Sequence, residues 1–490
     1  MPEPLSHHPE KQRSALIELL AVAAPTVATM TSYTVMTFTD KWLVSHLGAD
    51  YVGAQGNGGL AAWVPQSVAY GALQVINTYA AQNLGAGKPD RAAAYAWNGA
   101  WIAIAWWIIV LVPYSFLLPG IFRAAEVDPQ QAAWAASYGQ ILLLGAVVNL
   151  CTRALANFFY GLHRASVVLI AGISANIINL IISAVLIFGP GPIAPELGLL
   201  GEFAAWIARN LGLPRLGITG SAYGTVIATL VELAIPLAIF LSPAFNQRFR
   251  TRAAWRISLA HIKDIARIGW PGGLNFANEM LCWGFFMVYL VSHFGRLHAS
   301  AGWIAHQYMS LSFMPAVGMS VACTAIVGKY MGMGRPEIAE RRAWLAVAIS
   351  AAYMGICAIA FVIFRERLIG FFVAGDTPPE DLAELVRLGS MMLIATAAFQ
   401  LFDAAAMVIS GALRGAGDTV WPGIATVFTS WIVIVGGGIF MIRVFPGLES
   451  IGPWIAAASY IIILCCILVF RFQKGRWKTM KLLERSASAH

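Results

Sequence analysis

Charge is the scarcest thing in this sequence. Asp, Glu, Lys and Arg make up 11% of its 490 residues, against 59% apolar residues and a mean hydropathy of +0.69. Soluble domains carry about 25% charge, so most of this chain cannot face water. Cysteine is also sparse. The six (151, 282, 323, 357, 465 and 466) fall in apolar stretches without metal-ligand spacing and read as small buried hydrophobes. Enzyme signatures are missing: HExxH, GxSxG and paired CxxC motifs do not occur. The GAGKPD stretch at 85–90 has Lys-Pro where a phosphate-binding loop needs Lys-Ser or Lys-Thr, so it reads as a tight turn before a helix. The first fourteen residues are polar and lack a short apolar core ending in a cleavage site, so the first span is expected to insert and stay.

Long apolar runs take the place of what is missing. About 20 such residues cross a ~30 Å hydrocarbon core. Twelve stretches qualify: 15–47, 52–82, 97–119, 134–159, 166–189, 218–241, 266–292, 302–328, 343–364, 386–410, 419–440 and 451–470. The fold class is therefore all-α integral membrane. With the N-terminus inside, 22 of the 32 Lys and Arg residues fall on that side, among them Lys11, Arg13, Arg414 and the basic runs 248–267 and 471–485. This bias sets both termini in the cytoplasm of a multi-pass inner-membrane protein. Topology and anionic lipid headgroups account for the net charge of +8, and nucleic acid is not implied.

The chain also repeats itself. Val44-Ser45-His46-Leu47-Gly48 returns as Val291-Ser292-His293-Phe294-Gly295, an offset of 247 (291 − 44), and GAGKPD returns at the same offset as GMGRPE, 332–337. Trp97 and Trp344 share that offset, while Gly161-Leu-His-Arg164 and Gly411-Ala-Leu-Arg414 lie 250 apart, each expected to close a fourth span. Six spans per half give two copies in one orientation, which are parallel repeats about the membrane normal with a path between them. The expected organisation is a cytoplasmic tail (1–14), an N-lobe (15–242), a basic linker (243–265), a C-lobe (266–471) and a basic tail (472–490). The outer connection 190–217 departs from the repeat. Its apolar stripe at Leu200, Phe203, Ala204, Ile207 and Leu211 reads as a helix, either interfacial or a lid over the outer mouth. Pro25 and Pro271 recur in the first span of each half, and each can kink its helix.

Ionisable residues inside spans are expensive to bury and are functional candidates. Asp40, Glu279 and Asp403 stand first; Glu232 is more readily read as an ion-paired or snorkelling side chain, and Arg153 also lies within a span. The three leading acids do not follow the repeat: Asp40 is matched by Met287, Glu279 by Ser32 and Asp403 by Arg153. In apolar surroundings a carboxyl group holds its proton nearer neutrality, and with oxygen neighbours it binds a hard cation such as Na⁺. Asn176, Asn179 and Ser183 in the fifth span and Thr225 in the sixth supply such oxygens, although Asn176 serves equally as an interhelical hydrogen bond. Tyr33, Trp63, Trp283 and Phe286 lie near the acids, as does Asn278. Aromatic faces with a carboxylate suit organic cations, and helix packing explains the same rings.

On these residues the chain resembles the multidrug and toxic compound extrusion (MATE) transporters across about 15–470. The anchors are Pro25, Asp40 and the HLG of the first span, the GAGKPD turn, Asn179 through the LIFG at 186–189, GITGSAYGT at 217–225 and ALRGAGDT at 412–419. The resemblance implies two six-helix bundles around a central cleft, with Na⁺ or H⁺ entry driving efflux of cationic or amphipathic drugs. Asp40, Asn179 and Thr225 match the N-lobe cation site, and Glu279 and Asp403 the C-lobe acids of one branch. Ser183 falls where many members have an aspartate, and Lys41 beside Asp40 is a second departure, expected either to snorkel outward or to favour the charged carboxylate. No resident cofactor and no partner subunit is expected. With no stretch of ~150 polar residues to form a nucleotide domain, active transport must draw on an ion gradient. A flippase for lipid-linked sugar precursors is the alternative, resting on Arg153; an intramembrane enzyme or a passive channel fits less well.

Overall fold

The computed structural model describes residues 14–125, 128–191, 197–372 and 378–487, and every regular element in them is helical. The expected N-terminal tail lies outside these residues apart from Ser14, as do Lys11, Arg13 and residues 488–490. The first half runs α1 (Ala15–Ser45), α2 (Ala49–Leu73), α3 (Val75–Gly85), α4 (Pro89–Trp106), α5 (Val112–Ala124), α6 (Pro129–Gly161), α7 (Ala165–Phe188), α8 (Gly198–Leu211) and α9 (Ile218–Phe240). A short α10 (Pro243–Phe249) leads to the second half: α11 (Leu259–Phe285), α12 (Arg296–Gly332), α13 (Pro336–Phe371), α14 (Pro379–Ala416), α15 (Val420–Thr429), α16 (Gly437–Val444) and α17 (Ile451–Gln473), then α18 (Leu482–Ala487). Gln74 breaks one crossing into α2 and α3, and π turns join α4 to α5 and α15 to α16, giving twelve crossings. Eleven are long and apolar enough to span on composition alone. The α2–α3 crossing is more polar, with Gln66, Gln74, Asn77, Gln82 and Asn83 along it.

The repeat has a backbone cause. Gly48 (φ +130°) and Gly295 (φ +106°) sit at the turn between the first two crossings of each half, in a region where a Cβ is strained. Gly87 (φ +70°) and Gly334 (φ +68°) do the same one crossing later, and the following Pro89 and Pro336 open the next helix. The spacing of the helices follows: α12 lies 247 residues after the α2–α3 run at both ends (296 − 49, 332 − 85), whereas α17 lies 233 after α9 (451 − 218, 473 − 240). The outer connection carrying α8 lengthens the first half accordingly.

Three sequence expectations change. Helix α11 starts at Leu259, capped by the Ser258 side chain, so the stretch expected as linker is largely helical. It is also pinned to α4, with the Trp97 and Trp101 indoles donating to the Thr251 and Trp255 carbonyls and the Ser258 amide donating to Asn98. Helix α14 runs on to Ala416, so Arg414 lies within a helix and turns its guanidinium to Gln74 of the other half rather than into a loop. On α8, the small residues Gly201, Ala204, Ala205 and Ala208 face inward against α7, and Phe203 and Trp206 stack together on the outside. Close backbone approach favours small residues at the contact, which a count of apolar positions does not reveal.

Each half is built around an apolar core, with Leu19, Val22 and Ala23 of α1 joining that of the second half and Ile265, Ile268 and Val321 that of the first. The halves meet through α2 with α11, and α1 and α3 with α12. These contacts concentrate toward the end that carries the termini. There a side chain at Gly71 would strike the Gly272 carbonyl, one at Gly332 the Gln82 carbonyl, and one at Gly318 the backbone of Val27. Polar bonds cross the same seam: Gln82 donates to the Gly415 carbonyl (2.9 Å), Asn77 to that of Val321 (3.1 Å), and Glu18 accepts from Lys329, Tyr330 and Arg342. Toward the opposite end a Cβ on Gly53, Gly56 or Gly284 would meet nothing within 4 Å. The two lobes therefore close at one end and part at the other, around a central cleft.

Candidate functional site

Asp40 lies near the far end of α1 and is only 7% exposed. Thr225 on α9 donates to its Oδ2 (3.3 Å), and Asn179 and Ser183 on α7 turn their side chains to the same carboxyl. The i,i+4 spacing of Asn179 and Ser183 puts both on one helical face, and Gly224 is what lets α9 approach, since a side chain there would collide with Ser183. Asp40 Oδ1, Asn179 Oδ1 and Ser183 Oγ are buried without a hydrogen-bond partner. One carboxylate with three uncharged oxygen donors is a donor set that fits Na⁺, and the carboxylate alone fits a proton. Lys41 is exposed and forms no ion pair with Asp40.

Glu279 on α11 and Asp403 on α14 are brought within each other's electrostatic reach, with Tyr460 of α17 beside both. Glu279 lies deep in the body of the protein and yet its side chain is exposed, so it faces a space between helices. Asp403 is half-buried. Among the described residues no Lys or Arg pairs with either acid, although a buried carboxylate normally has a cationic partner. The C-lobe therefore holds two acids with no Lys or Arg paired to them among the described residues.

The aromatic candidates divide. Tyr33 faces the lobe interior, where its hydroxyl donates to Glu232 and accepts from Arg153. Trp63 packs edge-on against Tyr70, which meets Phe276 across the seam at 5.4 Å. Sequence reading missed Tyr70 and Phe276, because nothing in either half marks a ring that touches the other. Trp283 is half-buried against Phe286 and His306. Phe286 does not line the cleft: it is fully buried against Trp454 in the C-lobe core. Asn278 is likewise engaged in packing, donating to Ser430 and accepting from the Trp431 indole (2.7 Å). Asn176 donates to the Ser32 carbonyl (2.8 Å), the interhelical role open to it from sequence.

Two like helical lobes, a cleft between them and ionisable groups held within each lobe define a membrane transporter whose path runs through the middle. The family described as MatE matches residues 25–185 and 275–438, two segments with one in each half. The chain belongs to the MATE family. Among curated relatives it is 25% identical to the probable multidrug resistance protein NorM of Thermotoga maritima, over 96% of this chain and 94% of that one. It is 27% identical to the multidrug resistance protein NorM of Burkholderia vietnamiensis, over 93% of each. Among solved structures, the eukaryotic MATE transporter AtDTX14 aligns with a TM-score of 0.78 at 17% identity, over 97% of this chain and 98% of that one. A MOP superfamily transporter from Pyrococcus furiosus, described as having a binding pocket of reverse polarity that suggests a different function, aligns at 0.81 and 18% identity, over 96% and 100%. These structural likenesses speak to the fold alone.

Proposed function

We propose that this protein is a secondary active multidrug antiporter of the cytoplasmic membrane, exporting cationic or amphipathic organic compounds in exchange for H⁺ or Na⁺ by alternating access. The observation that carries it is the pair Glu279 and Asp403, two acids in the C-lobe that no Lys or Arg pairs with among the described residues. An organic cation seated there gains charge neutralisation, and an arriving H⁺ or Na⁺ competes for the same acids and releases it. The names of the curated relatives agree with multidrug export. Because a structural neighbour of the same fold, a MOP superfamily transporter, is described with a reversed pocket polarity, the charge of the site residues, rather than the fold, must indicate the substrate class. The flippase alternative needs a free cation for pyrophosphate, and Arg153 is instead engaged with the Tyr33 hydroxyl and the Tyr33 and Tyr70 rings.

By the positive-inside rule both termini are cytoplasmic and the cleft opens outward. Driving one charge through ~150 mV supplies roughly 3.5 kcal/mol, enough to sustain a gradient of several hundred-fold. The protein acts as a monomer in this scheme, since both walls of the cleft come from one chain. The test is efflux of a fluorescent organic cation from membrane vesicles under an imposed pH or Na⁺ gradient, with Asp40→Asn, Glu279→Gln and Asp403→Asn in parallel. We expect one gradient to drive wild-type efflux and at least one neutral variant to lose it. Normal pumping by all three variants would sink the proposal.

A further inference from the structure

The N-lobe holds a second buried carboxyl that the scheme above leaves unused. Glu232 lies on α9 seven residues after Thr225, and Tyr33 lies on α1 seven residues before Asp40, so the same two helices are bridged at two levels. Seven residues are two helical turns, roughly 10 Å. Asp40 with Thr225 forms the upper bridge. In the lower one the Tyr33 hydroxyl donates to Glu232 Oε1 at 2.5 Å.

Glu232 is 4% exposed and Arg153 9%, which invites reading them as a simple buried ion pair. The geometry argues otherwise. The shortest Arg153–Glu232 separation is 3.9 Å, long beside the 2.7–2.9 Å typical of a charge-assisted bond. Arg153 instead donates to the Tyr33 hydroxyl (2.8 Å) and lies over two rings, Tyr33 at 4.3 Å and Tyr70 at 5.2 Å. A guanidinium held over aromatic faces keeps electrostatic partners of its own, so Glu232 can be neutralised without stranding it. Tyr160 of α6 is a further ionisable group beside Glu232.

Between the two levels runs a line of unsatisfied polar atoms. Asn176, Asn179 and Ser183 share one face of α7, and each has a buried oxygen without a hydrogen-bond partner. Asn149, one turn before Arg153 on α6, adds an Oδ1. Buried polar atoms are nearly always satisfied, and several leading from one carboxyl toward another mark a route for a small hydrated or dehydrated cation rather than a packed core.

We propose that Glu232 is a further ion-coupling residue of the N-lobe: the coupling cation, H⁺ or Na⁺, moves along this seam between Asp40 and Glu232, and Tyr33, itself held by Arg153, binds Glu232 when it carries none. This rests on the antiporter reading and supplies the N-lobe with a second carboxyl, two turns from Thr225 along α9. No covalent step is involved. The cation binds the carboxylate and displaces the Tyr33 hydroxyl from Glu232 Oε1.

The test separates an ion role from a structural one. Wild type, Glu232→Asp and the double variant Arg153→Gln/Glu232→Gln are reconstituted, and cation efflux is measured against Na⁺ at fixed pH and against pH without Na⁺. Thermal unfolding and drug binding are measured on the same samples. The double variant removes both charges, so a structural pair predicts normal folding and normal ion dependence. Our proposal predicts normal folding and drug binding with a half-saturating ion concentration raised about tenfold, the effect of losing one ligand contact. Glu232→Asp keeps the charge and shortens the reach, so it should shift ion dependence in the same direction even where the double variant fails to fold. Wild-type ion dependence in the double variant, or in Glu232→Asp when the double variant does not fold, overturns the role of Glu232 and leaves the antiporter reading standing. Insensitivity of wild type to either gradient overturns both.

Discussion

Removing the Glu18 carboxylate should loosen the closed end of the protein by an amount that can be worked out. Glu18 sits in the first turn of α1 and accepts from Tyr330 (2.8 Å), Arg342 (2.9 Å) and Lys329 (3.3 Å), all on α12 or α13 of the other lobe. These bonds exist only while the lobes meet at that end. The ionic partners are 15–18% exposed on their side chains, so the node is worth more than a surface pair and less than a fully desolvated one. A hydrogen bond to a charged group contributes about 1.5–3 kcal/mol. Sharing among three donors and partial solvent screening bring the node to about 2–4 kcal/mol. Because Glu18→Ala withdraws that stabilisation from one conformation, the population with the seam parted rises by about 30- to 700-fold. The assay is alkylation of a single cysteine at Ala81, fully buried at the seam against Gly328, in a background without the six native cysteines. Its rate scales with the fraction of molecules in which the seam is open, so the increase is read directly. Glu18→Gln, which keeps an acceptor for Tyr330, should give a smaller rise. An Ala81→Cys rate that stays within about threefold of the parent in Glu18→Ala refutes the assignment of Glu18 as a conformation-specific tie.

Two other substitutions probe the sites. Ser183→Asp puts a second carboxylate against Asp40, in an oxygen-rich nest, and should tighten binding of the coupling ion by about tenfold in a radiolabelled Na⁺ or pH-jump binding assay; weaker ion binding contradicts the placement of Ser183 at the site. Phe286→Ala empties a fully buried position against Trp454, so it should cost about 3–5 kcal/mol of stability in thermal unfolding. Drug affinity in the protein that remains folded should be unchanged, and a selective loss of drug binding would return Phe286 to the cleft.

The crossings were legible because the bilayer reads only the apolar part of a helix. All twelve stretches appear, yet α11 begins at Leu259 and α14 ends at Ala416, beyond their apolar runs. Helix ends are set by caps and turns such as Ser258, which hydropathy does not weigh. The acids were legible for a related reason. A carboxyl group within an apolar run is conspicuous wherever its side chain points, and Asp40 does face Asn179, Ser183 and Thr225 while Glu279 and Asp403 share one region. Aromatic residues carry no such signal. Phe286 and Tyr70 look alike in sequence, but one is sealed in the C-lobe and the other meets Phe276 across the seam.

By itself, the sequence determined the membrane, the twelve crossings, the duplication and the acids that break it, because each follows from composition and order along the chain. Only the tertiary structure decided which end of the cleft is closed, that Glu18 and Arg414 tie one lobe to the other, and that Glu232 lies two turns below Asp40 on the same pair of helices. Those facts depend on rotation about helix axes and on contacts between residues 199 to 340 positions apart. A linear hydrophobic pattern marks which faces are apolar, but it does not say which neighbour each face meets.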